Sequence, residues 1–232
     1  MIGPDISLDW ASRGQALFEQ AATGLDDMSG SSRLPGWTRG HVITHVARNA
    51  DGLVRLLNWA RTGIETPMYP SVEARAADIE AGAGRTAIEQ LDDLRRAGAA
   101  FAETAKQLSA GHWQTIVATR HGPIPSSTIP WLRAREVWLH LVDLGTGIEI
   151  DVLPEEVATA LVRDVAGSMD ARVPARIEVR ISGGARVIFG PGAGHPVPVS
   201  GSVQELAGWL TGRSRGHRLT APEGLPELPS WL

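Results

Sequence analysis

The stretch Arg135-Glu-Val-Trp-Leu-His-Leu-Val-Asp-Leu-Gly145 decides how the chain is read. Glu136 and His140 are four residues apart, and Val137, Trp138, Leu139, Leu141, Val142 and Leu144 surround them. On a helix advancing 100° per residue, Glu136, His140 and Asp143 fall within about 60° of each other, with Arg133 alongside. The other directions are apolar, and a helix apolar nearly all round is a buried helix. An ionised carboxylate buried there needs a hydrogen-bonded cation, a metal ion or a proton.

A Glu and a His at i, i+4 can ligate one cation from a single helix face. The pair is incomplete as a metal shell, so a third donor is sought on another helix. His45 is the best candidate, in Thr44-His-Val-Ala-Arg-Asn-Ala50 beside the apolar stripe Val42, Val46, Ala50, Leu53 and Leu57. Three protein ligands with one open position is the arrangement of a catalytic zinc site. His41, one turn earlier, is an equally placed rival on spacing alone. A surface pair or a satisfied core interaction would leave the same Glu-x-x-x-His trace. Asp143 reads as an outer partner for His140 or as a helix-terminal residue. His112, His121, His195 and His217 fall in expected loops and read as solvated, and the Trp residues as packing.

Working outward, 232 residues suffice for one large domain or two small ones. A hydrophobic fraction of 43% with 21% charged residues excludes a disordered chain. The net charge of −4, with no basic block, argues against nucleic acid and anionic membrane surfaces. No apolar run reaches the roughly 18 residues of a spanning helix, and the N-terminus lacks a secretory pattern. A cytoplasmic location is expected. There are no cysteines, so any thiol used in chemistry must come from outside.

Helices are expected over 5–29 (with Leu8, Ala11, Leu17, Ala21 and Leu25 inward), 39–61 behind an N-capping Thr38, 86–109 (with Ile88, Leu91, Leu94, Ala97 and Phe101 inward) and 127–144. A short helix over 73–80 is interrupted by Gly82-Ala-Gly84, and 113–130 holds a hairpin or a long loop. A fifth helix starts at Pro154. Arg176–Gly190 alternates around Gly183-Gly184 as a β-hairpin, 197–200 adds a strand, and Ser202–Gly212 is a short capped helix. The Pro-rich tail is expected over the surface. The fold class is α+β: a four-helix bundle over 1–150, then a smaller α/β domain over 151–232.

GWTRGHVITHVARNADGL (36–53), NWARTGIETPMY (58–69), WLRAREVWLHLVDLG (131–145), GSVQELAGWLTGR (201–213) and the closing PSWL together resemble the mycothiol-dependent maleylpyruvate isomerases, within the wider DinB-like metalloproteins. The resemblance covers nearly the whole chain. It implies a DinB-like metal-binding helical bundle with an α/β domain packed against it, and a divalent metal, usually zinc, held by His45, Glu136 and His140. His41 matches no ligand position. Arg213 matches an arginine at the family's domain interface that is important for activity, and Arg75 another arginine near the cleft. The Gly/Ala-rich stretch 81–84 departs from the pattern and could reshape a cleft loop.

The implied reaction is isomerisation of maleylpyruvate to fumarylpyruvate in gentisate breakdown. Rotation about the C=C bond requires its temporary loss, which reversible addition of a thiolate provides, and mycothiol suits a chain without cysteine. Metal coordination would either lower the thiol pKa or polarise a substrate carbonyl. Arg213 and Arg75 are the natural clamps for substrate carboxylates; a helix C-terminal role is the plainer reading of Arg213. The implied partners are a small-molecule substrate and a low-molecular-weight thiol, with a monomeric protein. A mycothiol S-transferase on the same scaffold and a non-catalytic ligand-binding module remain the alternatives.

Overall fold

A computed structural model describes residues 2–120 and 122–231, in two compact units with the division between Gly147 and Ile148. The first unit holds α1 (Pro4–Thr23), α2 (Arg39–Thr62), α3 (Val72–Ala83), α4 (Ala87–Lys106) and α5 (Ile129–Asp143), with a two-stranded antiparallel ribbon of β1 (Ile116–Thr119) and β2 (Gly122–Pro125) before α5. His121 lies outside the described residues.

Local chemistry sets the helix ends. The Thr38 side chain accepts a hydrogen bond from the His41 amide, the Thr38 amide donates in return to His41 Nδ1, and Gly63 closes α2 at φ 74°. Thr86 and Glu89 form the same reciprocal cap on α4. α1 packs on α5 and α4, and α2 on α3, α4 and α5. Leu53, Leu56, Leu57, Ala97, Phe101 and Ile129 fill the space between them. Each large apolar side chain so buried contributes roughly 1.5–3 kcal/mol.

The inward face of α1 differs from the expected one. Ala11 is buried as expected, but the rest of the buried face is Trp10, Gly14, Phe18 and Ala22, whereas Leu17 is exposed, and the helix stops at Thr23 rather than continuing to residue 29. Gly14 explains the difference: a Cβ there would lie 2.6 Å from Val137 Cγ2 and 2.8 Å from Trp138 Nε1, so α1 meets α5 at a residue with no apolar side chain. Trp138 Nε1 donates to the Trp10 carbonyl at 2.9 Å across the same seam. On α4, Ile88 is 73% exposed, and the buried face runs through Gln90, Asp93, Leu94, Ala97 and Phe101, so its first turns pack through polar side chains. α3 runs through Gly82 to Ala83 and ends at Gly84, so of the two glycines only the second stops it and residues 81–83 form no loop. Gly82 instead lets α3 press against the Thr44 side chain of α2, while a Cβ on Gly40 would meet the Ala83 carbonyl at 2.7 Å.

Charge ties the same helices. Asp93 of α4 is 4% exposed and accepts from Arg48 of α2 at 2.7 and 2.8 Å, from Arg85 at 3.3 Å and from Arg96 at 2.5 Å. Arg133 of α5 is fully buried and donates to the Val46 carbonyl at 2.7 Å, Asn49 Oδ1 at 3.0 Å and Gln15 Oε1 at 2.5 Å. One guanidinium thus fixes α1, α2 and α5 to each other, beside His45 in sequence on α2 and one turn from Glu136 on α5.

The second unit holds α6 (Glu155–Met169), β3 (Ile177–Ile181), β4 (Arg186–Phe189), β5 (Val197–Gly201) and α7 (Val203–Leu210). β3 is central, antiparallel to β4 across Gly183-Gly184 and parallel to β5 in the register Ile177↔Val197 to Ile181↔Gly201. Ser202 caps α7. Near the tail's end, Trp231 is buried and donates its indole N–H to Ser168 of α6 at 3.1 Å. Among the described residues no helix is long and apolar enough to cross a membrane.

Candidate metal centre

The first unit brings His45, Glu136 and His140 together. One ligand atom from each lies within 4.8 Å of the others. Glu136 Oε2 is the common point, 3.0 Å from His45 Nε2 and 3.2 Å from His140 Nε2. The two imidazole rings meet edge to face, with centroids 4.6 Å apart. A tetrahedral zinc ion with ligands at about 2.0–2.1 Å separates neighbouring donors by roughly 3.3 Å. The donor set and its spacing therefore fit a divalent cation.

The orientation of each ring has a cause. His140 Nδ1 is 2.9 Å from Asp143 Oδ2, one turn along α5 and almost wholly buried, which turns Nε2 toward Glu136. His45 is 6% exposed on α2, with Nδ1 2.9 Å from Arg75 Nη2 of α3. Trp37, just before the α2 cap, lies over the site with its ring centroid 5.4 Å from that of His45 and 6.1 Å from that of His41. Tyr69, the chain's single tyrosine, puts its ring 5.5 Å from the Arg75 guanidinium carbon.

The titration behaviour follows from burial against bonding. Burial pushes His45 down to about 4, overcoming the opposing pull of Glu136, so the ring is neutral. Burial alone would raise Glu136, but hydrogen bonds from His140 and His45 hold its carboxyl well below the usual carboxylate range. Burial works against a charged His140 too, yet its bonds to Asp143 and Glu136 raise it above the ordinary histidine value. Burial lowers Arg133 to about 10, which leaves it charged at neutral pH. Tyr69 is pushed up by burial and keeps its phenolic proton.

His41 is no rival. As the third residue of α2 its Nδ1 serves the Thr38 cap, and its Nε2 faces Glu80 of α3 at 3.1 Å. Arg75 stands beside the three-residue cluster. Arg213 belongs to the second unit, after α7, where its Nη1 donates to the Thr211 carbonyl at 2.7 Å. His112 bonds within its own turn, to the Ser109 amide, and His195 and His217 are exposed. Trp37 and Tyr69 were not among the expected site residues; only the adjoining motifs GWT and TPMY pointed to their segments.

The sequence profile of the mycothiol maleylpyruvate isomerase N-terminal domain matches residues 12–145. The chain belongs to this family. Two crystal structures are similar along almost its full length. One is of a mycothiol-dependent maleylpyruvate isomerase, with 31% sequence identity and a TM-score of 0.89. The other is a histidine-to-alanine mutant under the same name, with 30% identity and a TM-score of 0.89. Each comparison covers 99% of this chain and 98% of the other. No curated protein matches the chain by sequence.

Proposed function

We propose that this chain is a mycothiol-dependent isomerase that converts maleylpyruvate into fumarylpyruvate, at a zinc ion held by His45, Glu136 and His140. The observation that carries the proposal is the convergence of three zinc-type donors on one point, in a chain of this family without a cysteine of its own. The chemistry supplied from outside is reversible thiolate addition to the alkene, helped by a cation that lowers the thiol pKa or polarises the substrate carbonyl.

The chain's residues do the rest. Asp143 holds His140 in the tautomer that presents Nε2, and Glu136 arrives already ionised. Arg75 supplies a guanidinium at the cluster's edge for a substrate carboxylate, and Arg213 is proposed as the second clamp. Trp37 and the apolar flank of α5 limit water around the ligands. The bundle is read as the metal-binding domain of a monomeric, cytoplasmic enzyme.

Maleylpyruvate loss, followed with and without mycothiol and after chelation, tests the proposal. Activity that needs both the thiol and the metal supports it. Turnover by chelated enzyme, or conjugation of a model electrophile with no turnover of maleylpyruvate, overturns it.

A further inference from the structure

The two imidazoles beside Glu136 differ in what their far nitrogens can accept or donate. His140 Nδ1 faces a carboxylate, so it carries a proton, and Nε2, once it releases the proton it shares with Glu136, offers a cation its lone pair. His45 Nδ1 faces Arg75 Nη2 at 2.9 Å. A guanidinium has donors only, so this Nδ1 is the acceptor and the proton of the neutral ring sits on Nε2, aimed at Glu136 Oε2. A cation on His45 would require the Nε2 lone pair. The proton would then sit on Nδ1, donor against donor with Arg75.

We propose that Arg75 and the cation are alternative partners of His45, so that loading the site turns the guanidinium away from the ring and frees it for a carboxylate of the substrate. The inference rests on the reading that His45, Glu136 and His140 hold a cation. Arg75 is placed for the exchange. It sits in the first turn of α3, behind the Ser71 cap, half-buried over the Tyr69 ring. The seating of Gly82 on Thr44 and of Gly40 on Ala83 holds that helix against α2, so the exchange falls to the Arg75 side chain itself. Because each event favours the other, cation and carboxylate bind with reciprocal positive coupling.

Metal-free wild type and Arg75→Met would be titrated with zinc against a chromophoric chelator, with and without maleate, and the histidine ring nitrogens followed by 15N NMR. Losing the competing charged hydrogen bond should tighten zinc binding in the variant by about ten- to a hundredfold. Maleate should tighten zinc binding to wild type and not to Arg75→Met. In metal-free wild type His45 should carry its proton on Nε2, and zinc should move it to Nδ1. Plain charge repulsion would tighten zinc binding in the variant without reversing the His45 tautomer, and that result overturns the proposal. So does unchanged or weaker zinc binding in the variant, or maleate coupling that is absent or equal in both proteins. The NMR arm needs no variant. If wild type takes up no single zinc that Glu136→Gln abolishes, the cation reading itself falls.

Discussion

The two halves of the candidate centre are built in different ways. On α5, Glu136, His140 and Asp143 lie within eight residues of one helix, and their mutual bonds of 2.9 and 3.2 Å follow from helical spacing. On the other side, His45, Arg75 and Tyr69 come from α2, α3 and the segment between them, and nothing local joins them. Their meeting depends on how closely α3 seats on α2. The α5 half is a pair of side chains that orient each other and are oriented by Asp143 on the same helix. The α2–α3 half is held by packing, and its one polar tie to the ring comes from a cation.

Removing the point both halves share should have the largest effect. Glu136→Gln removes the one carboxylate that both imidazoles share, and zinc affinity by chelator competition should fall by more than about a hundredfold, with maleylpyruvate turnover falling alongside it. Asp143→Asn touches the α5 half alone. Losing the carboxylate that orients His140 should weaken zinc binding by about ten- to a hundredfold, while the melting temperature moves little by comparison. Gly40→Ala tests the other half: its Cβ would meet the backbone carbonyl of Ala83 at 2.7 Å. Urea unfolding should show a loss of about 1–3 kcal/mol, and an unchanged midpoint would mean the α2–α3 seat is softer than described. Acidity should separate the halves most gently. His45 is already neutral with a value near 4, whereas His140 is raised above the usual histidine value and binds a proton that a cation must displace. Zinc affinity should therefore rise with pH until His140 loses its proton in the metal-free protein, by at most about tenfold per pH unit, and then level off.

The same contrast governs how far the sequence could be read. The Glu136–His140 pair and its Asp143 partner are visible in α5 because a helix of fixed period sets their positions. Spacing leaves His41 equal to His45 and only the resemblance separates them; the physical reason is the Thr38 cap, which makes His41 the third helical residue with its ring serving the cap while His45 lies a turn deeper. The resemblance named Arg75, but no periodicity could place it on His45. That contact depends on Gly40 and Gly82, residues whose contribution is the absence of a side chain. The α1 face was misjudged for a related reason. Its inward stripe passes through Gly14, so apolar spacing alone favoured Leu17, which faces solvent. In the second unit, the turn glycines and strand alternation were sufficient for the β3–β4 hairpin, but the parallel placement of β5 is a tertiary choice.

The buried Arg133 makes the first helix a stakeholder in chemistry it never touches. Its guanidinium leans on Gln15, so a helix that carries none of the three clustered side chains helps hold α2 and α5, which carry them, at their spacing. Tolerance to substitution along α1 should be uneven as a result: the exposed Leu17 is free to drift, while the neutral amide of Gln15 is constrained by the buried guanidinium it caps.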